Sequence, residues 1–538
     1  MRASAARFRS GIAIGPVVDA LRFSRTFYAM FPRLRLAFFT LSAGVSLAIS
    51  SRAATPGRPV TLEECLQRAI EKNLSLRIAR YDPRLASLGV HAAYANYDPT
   101  FYSSAGQTYL VTPQNSFLDP SKFTPNTTTE KWNDLYSFGI GGLTPSGLTY
   151  SLDANLDRTS VYTIFSPTNK TGSVIRNSGY SDGASLNLRQ PLLKNFWIDG
   201  TRLNIALAKN ALQQSEESLR AALFDLCSSV AQNYYDLIGA EENIALQTTA
   251  LSMAERLLVE NRHRVEIGSL APLSEKQAEA QAEARRSDLI SAREHYDHTV
   301  NALNALITDD LAQQSEAAIE SVGGLDTTPE VLNRQDSWHK ALTYRPDIRQ
   351  EKLSLASRQV SLKYDRNQLF PQLDLMGSYG LAGNQLQFGS VLGDVADRVN
   401  PQFSYGIELR FPLSNRQARD RLKADRMQLE RQLLQFKRLE QAAMREVNDL
   451  IFAVNAAQAR LATTKATQAF AEAALQAEQS KLSFGTSSSF NVLQLQRDLV
   501  SAQVAYIQSR VDFRKSLIRL AQAEGTLLEQ LRINLSVQ

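Results

Sequence analysis

With 538 residues, 8% aromatic and 21% charged, the chain has room for three or four ordinary domains, and its polar residues are spread along its whole length, which points to elongated architecture. The formal charge of +5 comes from residues 1–53, which hold eight arginines against Asp19 alone; taking these from totals of 59 and 54 leaves about 51 basic against 53 acidic groups. That balance lacks the positive footprint of a nucleic-acid binder, and nucleic acid is excluded as a partner.

In chain order, Arg33 and Arg35 precede an apolar run from Leu36 to Ile49 and then Ser51-Arg52-Ala53, the layout of a secretory signal peptide over residues 1–53. Export is expected. Met30 offers a second start, which would make residues 1–29 a start-site extension, and a membrane anchor is the alternative reading of the same run. No cysteine stands at the expected new N-terminus, so a lipidated form is not indicated, and Cys65 and Cys227 fall within helical patterns as small half-buried residues. Beyond the leader no run nears the roughly 20 apolar residues of a spanning helix, so any membrane crossing must use strands.

The remainder reads as one plan stated twice. Ala69-Ile70 with Leu76-Arg77 matches Ala341-Leu342 with Ile348-Arg349, and Pro99 matches Pro371, while Pro191-Leu192 matches Pro412-Leu413 at a shorter offset. The first copy therefore carries an insertion, rich in Thr, Asn, Ser and Pro as in Thr124-Pro125-Asn126-Thr127-Thr128-Thr129. The expected segments are first-repeat equatorial helices over 54–98, first-repeat membrane strands with the inserted loop over 99–192, and a long helical hairpin over 193–308. An equatorial segment and the helix leading into the second repeat cover 309–369. Second-repeat membrane strands follow over 370–413, a second long hairpin over 414–532, and a tail over 533–538.

Each class of element has its own period. Leu223, Val230, Leu237, Ile244, Leu251, Leu258 and Val265 step by seven, the seam of a helix that winds against neighbours, and Val447, Val454, Leu461, Gln468, Leu475 and Leu482 repeat it. From Thr201 to Ile267 no proline interrupts, so the helix could reach roughly 100 Å. Gly268 and Gly485 end the first helix of each hairpin, and second helices begin near Leu273 and Phe490. A narrow apolar seam needs partners, which implies further copies. Phe403, Tyr405, Ile407, Leu409 and Phe411 alternate with polar or small residues, and Leu373, Leu375, Gly377, Tyr379 and Leu381 do likewise over about nine residues, a length that crosses a bilayer when tilted. The first copy offers weaker strands at Phe101 to Tyr109 and before Pro191, and a strand-turn-strand unit around Thr144-Pro145-Ser146-Gly147 whose place in the sheet stays open. So few strands cannot close a barrel, and in lipid every edge must be paired, so several chains must each donate a sheet.

No chemistry-bearing motif appears: no phosphate-cradling loop, dinucleotide fingerprint or nucleophile elbow. His295 and His298 are three apart on a polar helix face with no third ligand to name, so no metal, cofactor or enzyme activity is expected. Two other classes, a periplasmic adaptor and a structural coiled coil without a pore, also use helical hairpins. The continuous apolar face from Phe403 to Phe411 favours strands in lipid over both.

The succession Thr61-Leu62-Glu63-Glu64-Cys65-Leu66 leading to Ala69 and Asn73-Leu74, then Ala341-Leu342 with Arg345-Pro346-Asp347-Ile348, Phe370-Pro371 and Phe411-Pro412-Leu413, resembles the TolC family of outer-membrane efflux proteins over about residues 60–530. The resemblance implies a mainly α protein with a membrane β-barrel portion. Its duplicated hairpins would form a trimeric α-barrel, and four strands per chain a shared twelve-strand β-barrel. It also implies an exit duct for efflux or secretion in the outer membrane, reaching into the periplasm, with a periplasmic adaptor (membrane fusion) protein and an inner-membrane transporter as partners besides outer-membrane lipid. Adaptor-docking tips match Ile267, Gly268, Ser269 and Leu270, and Phe484, Gly485, Thr486 and Ser487. Helix capping alone would also explain the glycines. The pore constriction matches Ser274 and Glu275 and, where the family often carries carboxylates, Asn491 and Gln494. The lipid-facing strand is that of Phe403, Tyr405, Ile407, Leu409 and Phe411.

Overall fold

Thr61 accepts the Glu64 amide at its side chain and opens the first helix, with Glu63 and Glu64 set at the positive end of its dipole. In the computed structural model of the chain, the described residues are 58–113, 128–165, 173–310, 319–321, 324–325, 332–531 and 533. The chain divides into units 1–54 and 55–538. The first, with the expected leader, lies outside the described residues, as do Thr124 to Thr127 of the polar insertion and most of the tail from 533 to 538.

The first half of the second unit runs β1 (Arg58–Val60), α1 (Leu62–Lys72), α2 (Leu74–Ala79), α3 (Tyr81–Tyr94), β2 (Thr100–Pro113), β3 (Thr128–Leu143), β4 (Thr149–Phe165), β5 (Ser173–Pro191), α4 (Gly200–Glu266) and α5 (Pro272–Ile307). The second half runs β6 (Ile319–Ser321), α6 (Arg334–Tyr344), α7 (Pro346–Asn367), β7 (Gln372–Gln385), α8 (Phe388–Ala396), β8 (Pro401–Arg410), α9 (Arg416–Ser483), α10 (Ser489–Glu524) and α11 (Leu527–Gln530). The duplication is close: α1 and α6 each hold 11 residues, α4 has 67 against 68 in α9, and α5 and α10 have 36 apiece.

β2 through β5, β7 and β8 form one antiparallel sheet in the order β2-β3-β4-β5-β7-β8, so the two halves meet at β5 and β7. The sheet of one chain holds six strands, two more than the four expected of each chain. The inserted strand-turn-strand unit supplies β3 and β4, paired along their length with each other and with β2 and β5. The turn between them puts Gly147 at φ +87°, a conformation costly for any residue with a Cβ, while Thr144 Oγ1 accepts the Leu148 amide. A separate parallel pair, β1 with β6, ties the start of the described chain to its middle.

The core sits where α1, α4, α5, α10 and α11 converge. Leu66, Leu223, Val230, Leu237, Leu303, Ile307 and Leu527 are buried together. Cys65 and Cys227 are free and buried in the same cluster, and burial pushes their thiols up to about 11 and about 12. Gly239 is a close crossing rather than a break, since a Cβ there would stand 2.6 Å from Val511 Cγ2 of α10. Beside it the helices are clamped by Lys515 Nζ on Asp236 at 2.6 Å and Arg510 on Glu242 at 2.7 Å.

The seam expected in steps of seven holds through Leu223, Val230 and Leu237 and then rotates: Ile244, Leu251 and Leu258 are only half-buried, while Gln247, Ala250, Ala254, Leu257 and Asn261 turn inward. A helix of 3.6 residues per turn drifts by about 20° per heptad, so over three heptads the buried stripe moves onto the next column. Small and amide side chains fill it there, which lets α4 and α5 lie close.

Candidate functional site

Both hairpin tips have the same construction. At the first, Gly268 stands at φ +72°, its amide bonds to the Val265 carbonyl at 3.0 Å and the Ser269 amide to that of Arg264 at 2.8 Å. At the second, Gly485 stands at φ +73°, its amide bonds to Leu482 at 3.1 Å and the Thr486 amide to Lys481 at 3.0 Å. This pair of bonds with a left-handed glycine is the Schellman cap. The hydroxyls of Ser269 and Thr486 donate to the same carbonyls, Arg264 and Lys481. Beyond each cap the chain restarts, with Pro272 opening α5 and the Ser488 hydroxyl accepting the Asn491 amide to open α10. Neither glycine has an atom within 4 Å of where a Cβ would lie, Ile267 and Phe484 project into solvent, and Leu270 and Ser487 complete the turns. The structure thus brings all eight tip residues to two like turns, and Asn261 of α4 approaches Ser489 of α10 at 3.5 Å between them.

Charge at the tips is paired. Glu275 accepts from Arg262 Nε at 3.2 Å, and the Ser274 carbonyl accepts from the buried Asn261 amide at 3.4 Å. Asn491 and Gln494 are exposed, and Asn491 Nδ2 donates to Glu478 at 3.4 Å. Sequence reasoning passed over Glu478 and Arg262, each on the first helix of its hairpin and thus thirteen residues from its partner across the turn. Ser487 and Lys481 hold the Glu478 carboxyl below its ordinary value. An acid near the end of α9 and an amide in the first turn of α10 thus face each other across the tip.

The sheet has two unlike faces. Phe403, Tyr405, Ile407 and Leu409 of β8 are all exposed on one of them, and they stand in register with Tyr379, Gly377, Leu375 and Leu373 of β7. Phe411, just past the strand, is exposed as well. The other face is polar and bonded across strands: Arg189 reaches Asp374 and Glu408, Asn187 Nδ2 donates to Asp153 at 3.0 Å, and Tyr102 donates to Asp153 from β2. Alternation is the physical reason, because successive strand side chains point to opposite faces.

Elsewhere, His295 and His298 are exposed on α5, where His298 lies 3.9 Å from Glu294. Among the described residues no group of three or more His, Cys, Asp or Glu is placed to hold a metal ion, and no helix is long and apolar enough to cross a membrane.

Paired long helical hairpins below an amphipathic antiparallel sheet define a channel of the bacterial outer membrane. The profile of the outer membrane efflux protein family matches residues 65–308 and 338–526, and the chain belongs to that family. Similar folds include the Campylobacter jejuni CmeC outer membrane channel, with a TM-score of 0.61 at 16% identity over 88% of this chain and 90% of that one. VceC from Vibrio cholerae gives 0.60 at 19% identity over 86% and 96%. Among relatives by sequence, the pyoverdine export outer membrane protein OpmQ of Pseudomonas aeruginosa is 24% identical over 372 residues, which is 65% of this chain and 74% of that protein. Outer membrane protein TolC of Vibrio cholerae is 23% identical over 363 residues, 64% and 77%. The protein is accordingly an outer-membrane efflux channel, and the members of its family to which it is similar are channels rather than enzymes.

Proposed function

We propose that three copies of this chain assemble into one duct, with the sheets forming a barrel in outer-membrane lipid and the hairpins a helical tube in the periplasm. One observation carries this reading: the sheet has an apolar face and two free edges, β2 and β8, and six strands cannot close a barrel. Exposed Phe452 and Phe470 on α9 support it, since a single copy leaves them in water. The tips around Gly268 and Gly485 dock a periplasmic adaptor protein, through which an inner-membrane transporter loads the duct. Ser274, Glu275, Asn491 and Gln494 line its narrowing. The protein itself performs no chemistry on the cargo.

The test is biochemical. The purified protein should require detergent and migrate as a trimer that dissociates on heating. A monomer stable without detergent would refute the assembly.

A further inference from the structure

β3 and β4 have no counterpart in the second half, yet they continue both faces of the sheet without a break. On the apolar face Ile140 of β3 stands opposite Leu152 of β4, which stands opposite Leu186 of β5, and that register runs on through Tyr379 of β7 to Phe403 of β8. Ile140 and Leu152 are as exposed as a lipid-facing side chain must be in a single copy. On the polar face Asp153 of β4 is bonded to Tyr102 of β2 and Asn187 of β5, so the hairpin belongs to the same wall at the same level. A hairpin held outside the membrane would need no apolar face in line with its neighbours.

We propose that β3 and β4 span the outer membrane, so that each chain contributes six strands and three chains close an eighteen-strand barrel through β2 of one copy and β8 of the next. This rests on the three-copy assembly. Eighteen strands about 4.8 Å apart and tilted by about 40° measure about 110 Å around, against about 75 Å for twelve. Barrels of this strand number enclose an aqueous channel. Bulky polar solutes that clear the helical tube are the class of cargo such an outlet admits.

Arginine substitutions read the assignment. Leu152→Arg and, as reference, Ile407→Arg should each lower heat-labile trimer in outer-membrane fractions at least tenfold, and Asn155→Arg on the polar face less than twofold. Normal assembly of Leu152→Arg beside failure of Ile407→Arg would overturn the proposal and leave the channel reading standing. Normal assembly of both would remove the membrane reading as well. Because Leu152→Arg could fail for reasons of folding, the wild-type particle should also be viewed end-on by electron cryo-microscopy. Eighteen strands are expected, and twelve with the hairpin outside the wall would overturn the assignment.

Discussion

Arg189 of β5 donates to Asp374 of β7 through Nε at 2.6 Å, and this pair joins the first half of the chain to the second. Asp374 is 1% exposed, and its remaining donor is Gln372 at 2.8 Å. Arg189→Met would strand a buried carboxylate, a loss of roughly 3 kcal/mol, because breaking one side of such a pair costs more than the pair itself contributes. The temperature at which the oligomer dissociates should fall. Arg189→Met combined with Asp374→Leu should recover most of the loss, and a double variant no better than the single would locate the damage elsewhere.

The apolar face of β8 makes a second prediction. Ile407→Asp places a charge on the face proposed to meet lipid, at a cost of up to about 2 kcal/mol near the midplane and less toward either interface. Trimer in the outer membrane should fall, with Leu409→Asp acting in the same direction. Unchanged trimer for both would show that this strand does not face lipid.

Periodicity made much of this fold legible. The hairpins, the left-handed glycines and the clean alternation of β7 and β8 all follow from spacings visible in the chain. The extra strands were harder to read. On β3 the glycines Gly139, Gly141 and Gly142 interrupt alternation, and β4 owes its place to pairing with residues distant in sequence. The partners of Glu275 and Glu478 escaped a motif-based reading for a similar reason. Each lies across a turn, so no helix-surface spacing brings it to notice.

The tips separate docking from capping. Any residue but glycine at position 485 strains the left-handed cap by roughly 1 kcal/mol, whatever its size. Gly485→Ala carries that strain without bulk, while Gly485→Trp adds a side chain to the proposed docking surface, where space is open in the isolated chain. Transport should drop far more for Gly485→Trp than for Gly485→Ala, with trimer abundance alike in both. Equal loss of transport, or loss of trimer together with transport, would support capping as the whole role.

Asp365 on α7 gives a pH dependence. Burial, and then the neighbouring Asp425, push its carboxyl up to about 6, although Arg421 lies 2.9 Å away. A carboxyl raised above its unfolded value favours the folded state in its protonated form, so stability is gained as pH falls through about 6 and lost as pH rises past it. Asp365→Asn should therefore raise the dissociation temperature at pH 7.5 and change it little near pH 4. A variant equally displaced at both pH values would mean that titration of this group does not contribute.

Charge at the proposed narrowing gives the last prediction. Three symmetric carboxylates in a confined bore would concentrate negative potential and offer oxygen ligands to multivalent cations. This chain presents amides at Asn491 and Gln494, its Glu275 is held by Arg262, and its Glu478 is held by Ser487 and Lys481. Weak cation selectivity and little block by a trivalent cation are therefore expected of the wild type in planar bilayers. Gln494→Asp should increase both, since its exposed position leaves the new charge free to face the bore. Asn491→Asp should act in the same direction but less strongly, because its carboxylate would stand about 3.4 Å from that of Glu478 and the two would resist ionising together. Arg262→Gln should unmask Glu275 and produce block without any new acid, and Glu275→Gln in that background should abolish it. Tight trivalent block of the wild type that survives Glu275→Gln would mean that another anionic ring lies in the path, and the paired-charge account of the tip would fail.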